Sequence, residues 1–411
     1  MKITFFFFLI SSSLFSQVSD DYSKFTTFQK QIVLDTAVFP YPPIFKLCNA
    51  KFYVIQSDYS NREKDGSGNT KVLFNVTDST HLFLETDSYL LKNHFWDFVV
   101  SPENVFLLIG SKVYVYEIPN SIESKYNTKL LIKHQLEAET NKLEMLNDST
   151  LLLFTGRIFG DMNKKEYFYY QTFDVKKQKL SQKRKFRFSK GFIYASYLPC
   201  KIHTVMNGNL YVADLTNYNV YEIDTKTGDY KDSLSRENMP FIFNKNANDA
   251  FDNIYLNMTN TKHLFQLSEP KYDSLFVIRD ISTVNDSIIS VTYKIPSKNS
   301  TSKKNRTMYY VDFWKKTKSG FVCFSKDNKL STSIDSNQIL TNYCQEYVEH
   351  SFYLNNGKFV TVTKIPFLIQ DMINDKYSYK QFLEKQEEYY IENPQAFSIF
   401  LYNLKDEFFS K

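Results

Sequence analysis

The chain has 411 residues, 43% hydrophobic and 23% charged, with a formal net charge of +5. That balance describes a globular protein with a large core; it excludes a wholly disordered chain and gives no strong pull toward nucleic acid. The 38 Phe and 30 Tyr against only 10 Gly favour pleated, packed strands over helices.

Residues 1–16 read as a secretory signal peptide. Lys2 is the positive start, Ile3 to Ile10 is an apolar run with four consecutive Phe, and Leu14-Phe15-Ser16 ends on a small residue. A membrane anchor needs about 20 apolar residues, and this run is shorter. The first cysteine is Cys48, too far on to take a lipid. Residues 17–411 are therefore expected as one exported, soluble domain without a membrane span. Cys48, Cys200, Cys323 and Cys344 are widely spaced with no CxxC, which argues against zinc. One or two disulfides are open to them, with three connectivities if all four pair. Cys323, within Phe321-Val-Cys-Phe324, reads as a small buried hydrophobe.

Past the leader, Gln31-Ile-Val-Leu34 stands alone as a strand. Seven similar units follow, each a set of apolar runs broken by polar turns. The first holds Lys51–Ile55, Val72–Phe74 and His81–Leu84. Unit two has Asp97–Val100, Val105–Ile109, Val113–Tyr116 and Leu130–Ile132. Leu151–Phe154, Tyr167–Tyr170 and Lys183–Phe188 make the third. Unit four is the clearest: Lys201–Val205, then Asn209-Leu-Tyr-Val-Ala-Asp214 and Asn219-Val-Tyr-Glu-Ile-Asp224, with a Gly turn before Tyr230. Asn253–Leu256, His263–Leu267 and Ser274–Ile278 form the fifth. Ile288–Tyr293, Met308–Phe313 and Phe321–Phe324 form the sixth. The last supplies only Ser351–Tyr353, Lys358–Val362 and Phe397–Tyr402. It lacks one strand, and Gln31–Leu34 would complete it while removing two exposed edges.

The inner runs are apolar on consecutive residues, as in strands covered on both faces. Radial repetition meets that requirement, and no Pro- or Gly-rich linker marks separate sandwiches. The expected fold is all-β: a single β-propeller of seven blades, or six if one unit is misread, each a four-stranded antiparallel sheet. One helical insertion falls at about 370–394. There Ser378 and Gln381 form a capping box, Tyr379, Phe382, Leu383, Gln386 and Tyr390 share a face, and Pro394 follows. Tyr211-Val-Ala-Asp-Leu-Thr-Asn217 with Val220–Asp224, and Asp97-Phe-Val-Val-Ser-Pro-Glu-Asn-Val-Phe106, resemble blade segments of NHL-type and TolB-like β-propellers. The match is best over residues 97–118 and 201–234. That group includes scaffolds, ligand binders and some hydrolases, so the resemblance implies a fold and no single activity.

Of the six His, none forms an HExxH. His94-Phe-Trp-Asp97 is the best cluster: Trp96 offers a stacking platform for a ring or sugar, and His94 and Asp97 offer hydrogen bonds. His203, opening unit four, joins them as a fourth ligand-binding candidate. The competing structural role has Trp96 filling a gap between blades and Asp97 capping a turn. Asp214 and Asn217 read as turn residues. Lys176 to Lys190 carries eight Lys or Arg and no acid, and reads as a solvated strand edge. No phosphate loop or GxSxG is present. The expected role is a binding module for a protein or glycan, monomeric, with no cofactor and no catalytic residue to name. The alternative is a hydrolase or lactonase holding a divalent metal on the axis through Asp97, Glu103, Asn217 and Asp252, since calcium needs about six or more oxygens.

Overall fold

The computed structural model describes residues 24–34, 44–57, 71–84, 95–118, 125–136, 140, 142–155, 169–185, 202–214, 218–236, 278–296, 307–330, 351–355, 357–363, 384 and 397–410. In chain order, β1 (Thr26–Leu34) comes first. A first sheet is the meander β2 (Ile44–Cys48), β3 (Lys51–Ser57), β4 (Lys71–Asn75) and β5 (Thr80–Leu84). The second is built from β6 (Phe95–Val100), β7 (Asn104–Ile109), β8 (Lys112–Glu117) and, after the short β9 (Lys125–Asn127), β10 (Lys129–Gln135). The third comprises β11 (Lys142–Asn147), β12 (Thr150–Thr155) and β13 (Tyr169–Asp174), with β14 (Lys179–Leu180) and β15 (Arg184–Lys185) both pairing β13. In the fourth are β16 (His203–Met206), β17 (Asn209–Asp214), β18 (Asn219–Ile223) and β19 (Tyr230–Ser235). The fifth has β20 (Ile278–Asn285), β21 (Ile288–Pro296), β22 (Thr307–Thr317) and β23 (Gly320–Lys329). Last come β24 (Ser351–Asn355), β25 (Lys358–Thr363), β26 (Phe397–Leu404) and a one-turn helix, α1 (Asp406–Phe409).

Five sheets are thus made from locally consecutive strands, except that β9 leaves the second sheet's run of chain to pair in parallel with β5 of the first. A closing sheet, ordered β1-β26-β25-β24, is made from both ends of the chain. The innermost strands β2, β6, β11, β16, β20 and β24 touch in that succession, and β24 meets β2 again. The molecule is an all-β propeller of antiparallel sheets, and the expected partner for Gln31–Leu34 is the observed one. β1 runs antiparallel to β26 from Thr26 opposite Leu404 to Leu34 opposite Phe397, with a bulge between Phe28 and Lys30.

The expectation of seven blades fails. Sheets four and five are neighbours through a direct contact of β16 with β20, which leaves no place between them for a further blade. The fifth unit of the sequence falls there; apart from Ile278, which opens β20, its residues lie outside the described set. Apolar runs alone cannot distinguish an extra blade from an insertion. The expected helix near 370–394 also lies outside the described residues, save Glu384, which is helical. So do the leader, Cys200 and Cys344. Cys48 is buried, whereas Cys323 is only half-buried, and burial still pushes its thiol up to about 12.

The burial pattern explains the sequence. β7 and β8 are buried on nearly every residue, because neighbouring sheets cover both faces. The outermost β10 alternates strictly, with Lys129, Leu131, Lys133 and Gln135 exposed. The core is a set of wedges between sheets rather than one central mass. One wedge joins the first three sheets through Tyr53, Phe98, Phe106, Tyr114, Tyr116 and Phe173. Another joins the fifth and closing sheets: Phe25 is fully buried, edge-on to Phe313 at 5.0 Å and Phe359 at 6.1 Å, and α1 adds Phe409 at 5.1 Å from Phe313. Each such ring contributes about 1.5–3 kcal/mol by burial, which accounts for the aromatic bias of the composition.

Tight turns hold the hairpins. Asn207 and Gly208 have φ of 52° and 73°, the pairing a two-residue hairpin requires. Between β18 and β19, the Asp224 carboxylate accepts from the Lys226 and Thr227 N–H at 2.7 and 3.2 Å, and Gly228 turns at φ 83°. A Cβ on Gly228 would sit 3.3 Å from Arg184 Cδ, so Gly228→Ala meets both backbone strain and crowding. The expected cost is about 1–2 kcal/mol, read by denaturant unfolding.

Candidate functional site

The innermost strands carry a row of buried charges in otherwise apolar surroundings. Asp97 stands at a register shift in the pairing of β6 with β7 and meets two other sheets. Its Oδ1 accepts from the Phe98 N–H at 2.9 Å, and its Oδ2 accepts from the Leu143 N–H of β11 at 2.8 Å. Lys46 of β2 donates to both oxygens, at 3.2 and 3.0 Å, and to the Leu143 carbonyl at 2.9 Å. Asp97 therefore joins three successive sheets. Burial alone would lower the Lys46 ammonium, but Asp97 and then Glu144 outweigh it and the net shift is upward.

Next to Leu143 on β11 stands Glu144, and facing it from β16 is His203. The His203 Nε2 lies 3.7 Å from Glu144 Oε2, and its ring stacks on Phe154 with centroids 4.0 Å apart. Both side chains are mostly buried, at 7% and 14% exposure. Two of the four sequence candidates, Asp97 and His203, thus sit on one inner polar row. Trp96 lies in β6, with its side chain outside the described residues, and His94 is outside them altogether. Lys46 and Glu144 were not singled out by the sequence. A usable signal existed: each is a lone charge within an apolar run, Phe45-Lys46-Leu47 and Leu143-Glu144-Met145.

The metal constellation is not assembled by the residues that can be placed. Asp97 is committed to Lys46 and two backbone N–H groups, and Glu103 is exposed in the turn between β6 and β7. Asn217 and Asp252 lie outside the described residues. Among the described residues, no group of three or more His, Cys, Asp or Glu is arranged to hold a metal ion.

A second polar cluster locks sheet four to sheet five. Asp312 of β22 is fully buried; its Oδ2 accepts from the Tyr218 hydroxyl at 2.7 Å and from Arg236 at 2.9 Å. Its Oδ1 accepts from the Asp327 N–H at 2.7 Å. Arg236 also forks onto both oxygens of Asp327 at 2.8 and 2.6 Å, and Trp314 donates to the Tyr218 hydroxyl at 3.1 Å. The Arg236 hydrogen bond holds Asp327 below the ordinary carboxylate range, and the Lys231 hydrogen bond holds Asp224 at about 2. Asp312 works the other way, because burial raises it.

A depressed carboxyl stabilises the fold above its unfolded pKa of about 4, and that stabilisation is lost as pH falls through the folded value. Thermal melts are therefore expected to shift downward between about pH 4 and 2. Asp224→Asn should flatten that acid limb, and an unchanged limb would count against the assignment.

No family model and no curated protein matches the chain. Solved structures do match along most of its length. One, from Bacteroides fragilis and described as a candidate exported protein, is 15% identical over 92% of this chain and 95% of its own, with a TM-score of 0.49. The Cps50 (Swd1) β-propeller domain of Myceliophteria thermophila is 6% identical over 90% and 99%, with a TM-score of 0.39. Kluyveromyces lactis Hsv2 is 7% identical over 79% and 70%, with a TM-score of 0.36. These scores carry no argument by themselves, and the fold assignment rests on the strand pairing. Among the described residues, no helix is long and apolar enough to cross a membrane.

Proposed function

We propose that the chain is an exported, monomeric propeller of the NHL-type or TolB-like kind that binds a protein or glycan and catalyses no reaction. The reading places His94, Trp96, Asp97 and His203 at the binding face. What supports it most is the inner row itself, in which Lys46, Asp97, Glu144 and His203 come from four successive sheets. Lys46 and Asp97 neutralise one another and carry backbone hydrogen bonds besides, an arrangement that fixes geometry rather than activating a nucleophile. In this reading Trp96, next to Asp97 in the sequence, is the residue that stacks on a ring-shaped ligand.

An array of glycans and envelope proteins probed with the purified chain should give saturable binding to one class. Trp96→Ala and His203→Gln should weaken it while leaving the melting temperature of the first variant close to native. Turnover of an ester, lactone or glycoside library, abolished by a single substitution, would overturn the reading in favour of a hydrolase.

A further inference from the structure

The outer rim of sheets three and four carries a concentrated positive charge. We infer that this rim is a docking surface for an anionic polysaccharide. It lies on outer strands and turns, so it stands apart from the reading above, which concerns the innermost strands.

The outer edge of the third sheet is interrupted: β13 pairs with β14 and then with β15, and residues 181–183 between them are exposed. Across 174–184 and 224–231 there are seven Lys or Arg and three Asp. Two of the three carboxylates are already engaged, Asp174 by Lys177 at 3.4 Å and Asp224 by Lys231 at 3.0 Å. Among the described residues, Lys176, Lys179, Lys183 and Lys226 are exposed and form no ion pair.

The two sheets are clamped together at this point. Arg184 of β15 donates to the Thr227 carbonyl at 2.6 Å and to the Lys226 carbonyl. Its stem passes over Gly228, and the Tyr170 hydroxyl of β13 donates to the Asp224 carbonyl at 3.4 Å. Lys226 is thereby held beside the third sheet instead of swinging with its own turn.

Lysines that deter aggregation act along the edge of one strand. Here the unpaired ammonium groups continue from one sheet onto the next, across a built contact. Such a surface fits a linear polyanion, whose repeated charges several lysines meet at once. Nucleic acid is the less favoured polyanion, because single strands bind through exposed aromatic platforms. Among the described residues of this rim, the nearby Tyr170 is buried and Tyr230 only half-exposed.

The test uses the full mature chain and a size-defined heparin oligosaccharide as probe, with binding read by fluorescence anisotropy. Saturable binding that weakens as salt rises is expected. The K176Q/K179Q/K183Q variant should bind at least about tenfold more weakly, and K226Q alone a few-fold more weakly. The corresponding Lys→Arg variant should bind like the native chain, and matched melting temperatures show that every variant is folded. Three results would overturn the inference: no binding by the native chain at low salt, equal binding by the triple Gln variant, or tighter binding of a single-stranded DNA of equal charge.

Discussion

A chain from which residues 17–35 have been deleted is expected to aggregate or be degraded rather than reach the native fold. The deletion removes all of β1, with its antiparallel register against β26. It also removes Phe25, fully buried among Phe313, Phe359 and Phe408, and the buried Thr26 and Gln31. Losing one such Phe costs about 3–5 kcal/mol. Half-buried Phe28 and Ile32 add to this, and β26 is left as a bare edge. Together these losses approach the whole stability of an ordinary domain, about 5–15 kcal/mol. Size-exclusion chromatography and limited proteolysis check the outcome. A truncated protein that stays monomeric and melts at the native temperature would show that β1 does not close the ring.

The second large effect is expected at Asp312. Asp312→Ala leaves the Arg236 guanidinium with one carboxylate, the partly exposed Asp327, beside its hydrogen bond to the Tyr293 hydroxyl, and takes the acceptor away from the Tyr218 hydroxyl. Breaking a buried charge pair from one side costs about 3–5 kcal/mol. Asp327→Ala, at a carboxylate 38% exposed, should cost about 1 kcal/mol or less. Removing both charges, as R236M/D312L, should recover part of the single-variant loss, because no buried charge then lacks its partner. Urea unfolding of the four proteins decides it. Equal losses for Asp312→Ala and Asp327→Ala would mean that the cluster does not lock the sheets.

The sequence was most legible where local chemistry sets the geometry. Asn207-Gly208 and Gly228 fix the hairpins of the fourth sheet, and consecutive apolar residues in β7, β8 and β17 announce strands covered on both faces. The ring closure followed from counting edges: a strand with no neighbour and a unit with a missing strand answer one another. Where pairing is long-range the sequence was silent. β9 is three residues long and adds in parallel to β5, so the chain crosses from the second sheet onto the first before returning as β10. No periodicity marks so short a strand. The lock of Lys46 on Asp97 spans 51 residues and that of Tyr218 on Asp312 spans 94, separations set only by how sheets stack. The apolar runs at 253–278 misled, because they match the blade pattern without a place for a blade between β16 and β20.

The same closing sheet makes the order of synthesis matter. Gln31 and Ser398 are hydrogen-bonded at 2.8 Å although 367 residues separate them, and the Lys405 N–H donates to the Phe25 carbonyl at 2.9 Å. The first strand made must wait for the last before either is satisfied. A nascent chain stopped anywhere before residue 397 holds two unfinished edges and cannot bury Phe25 as the native chain does. Its seam works as a completeness check: until residues 397–404 are made, β25 and β1 both lack the strand that lies between them in the closing sheet.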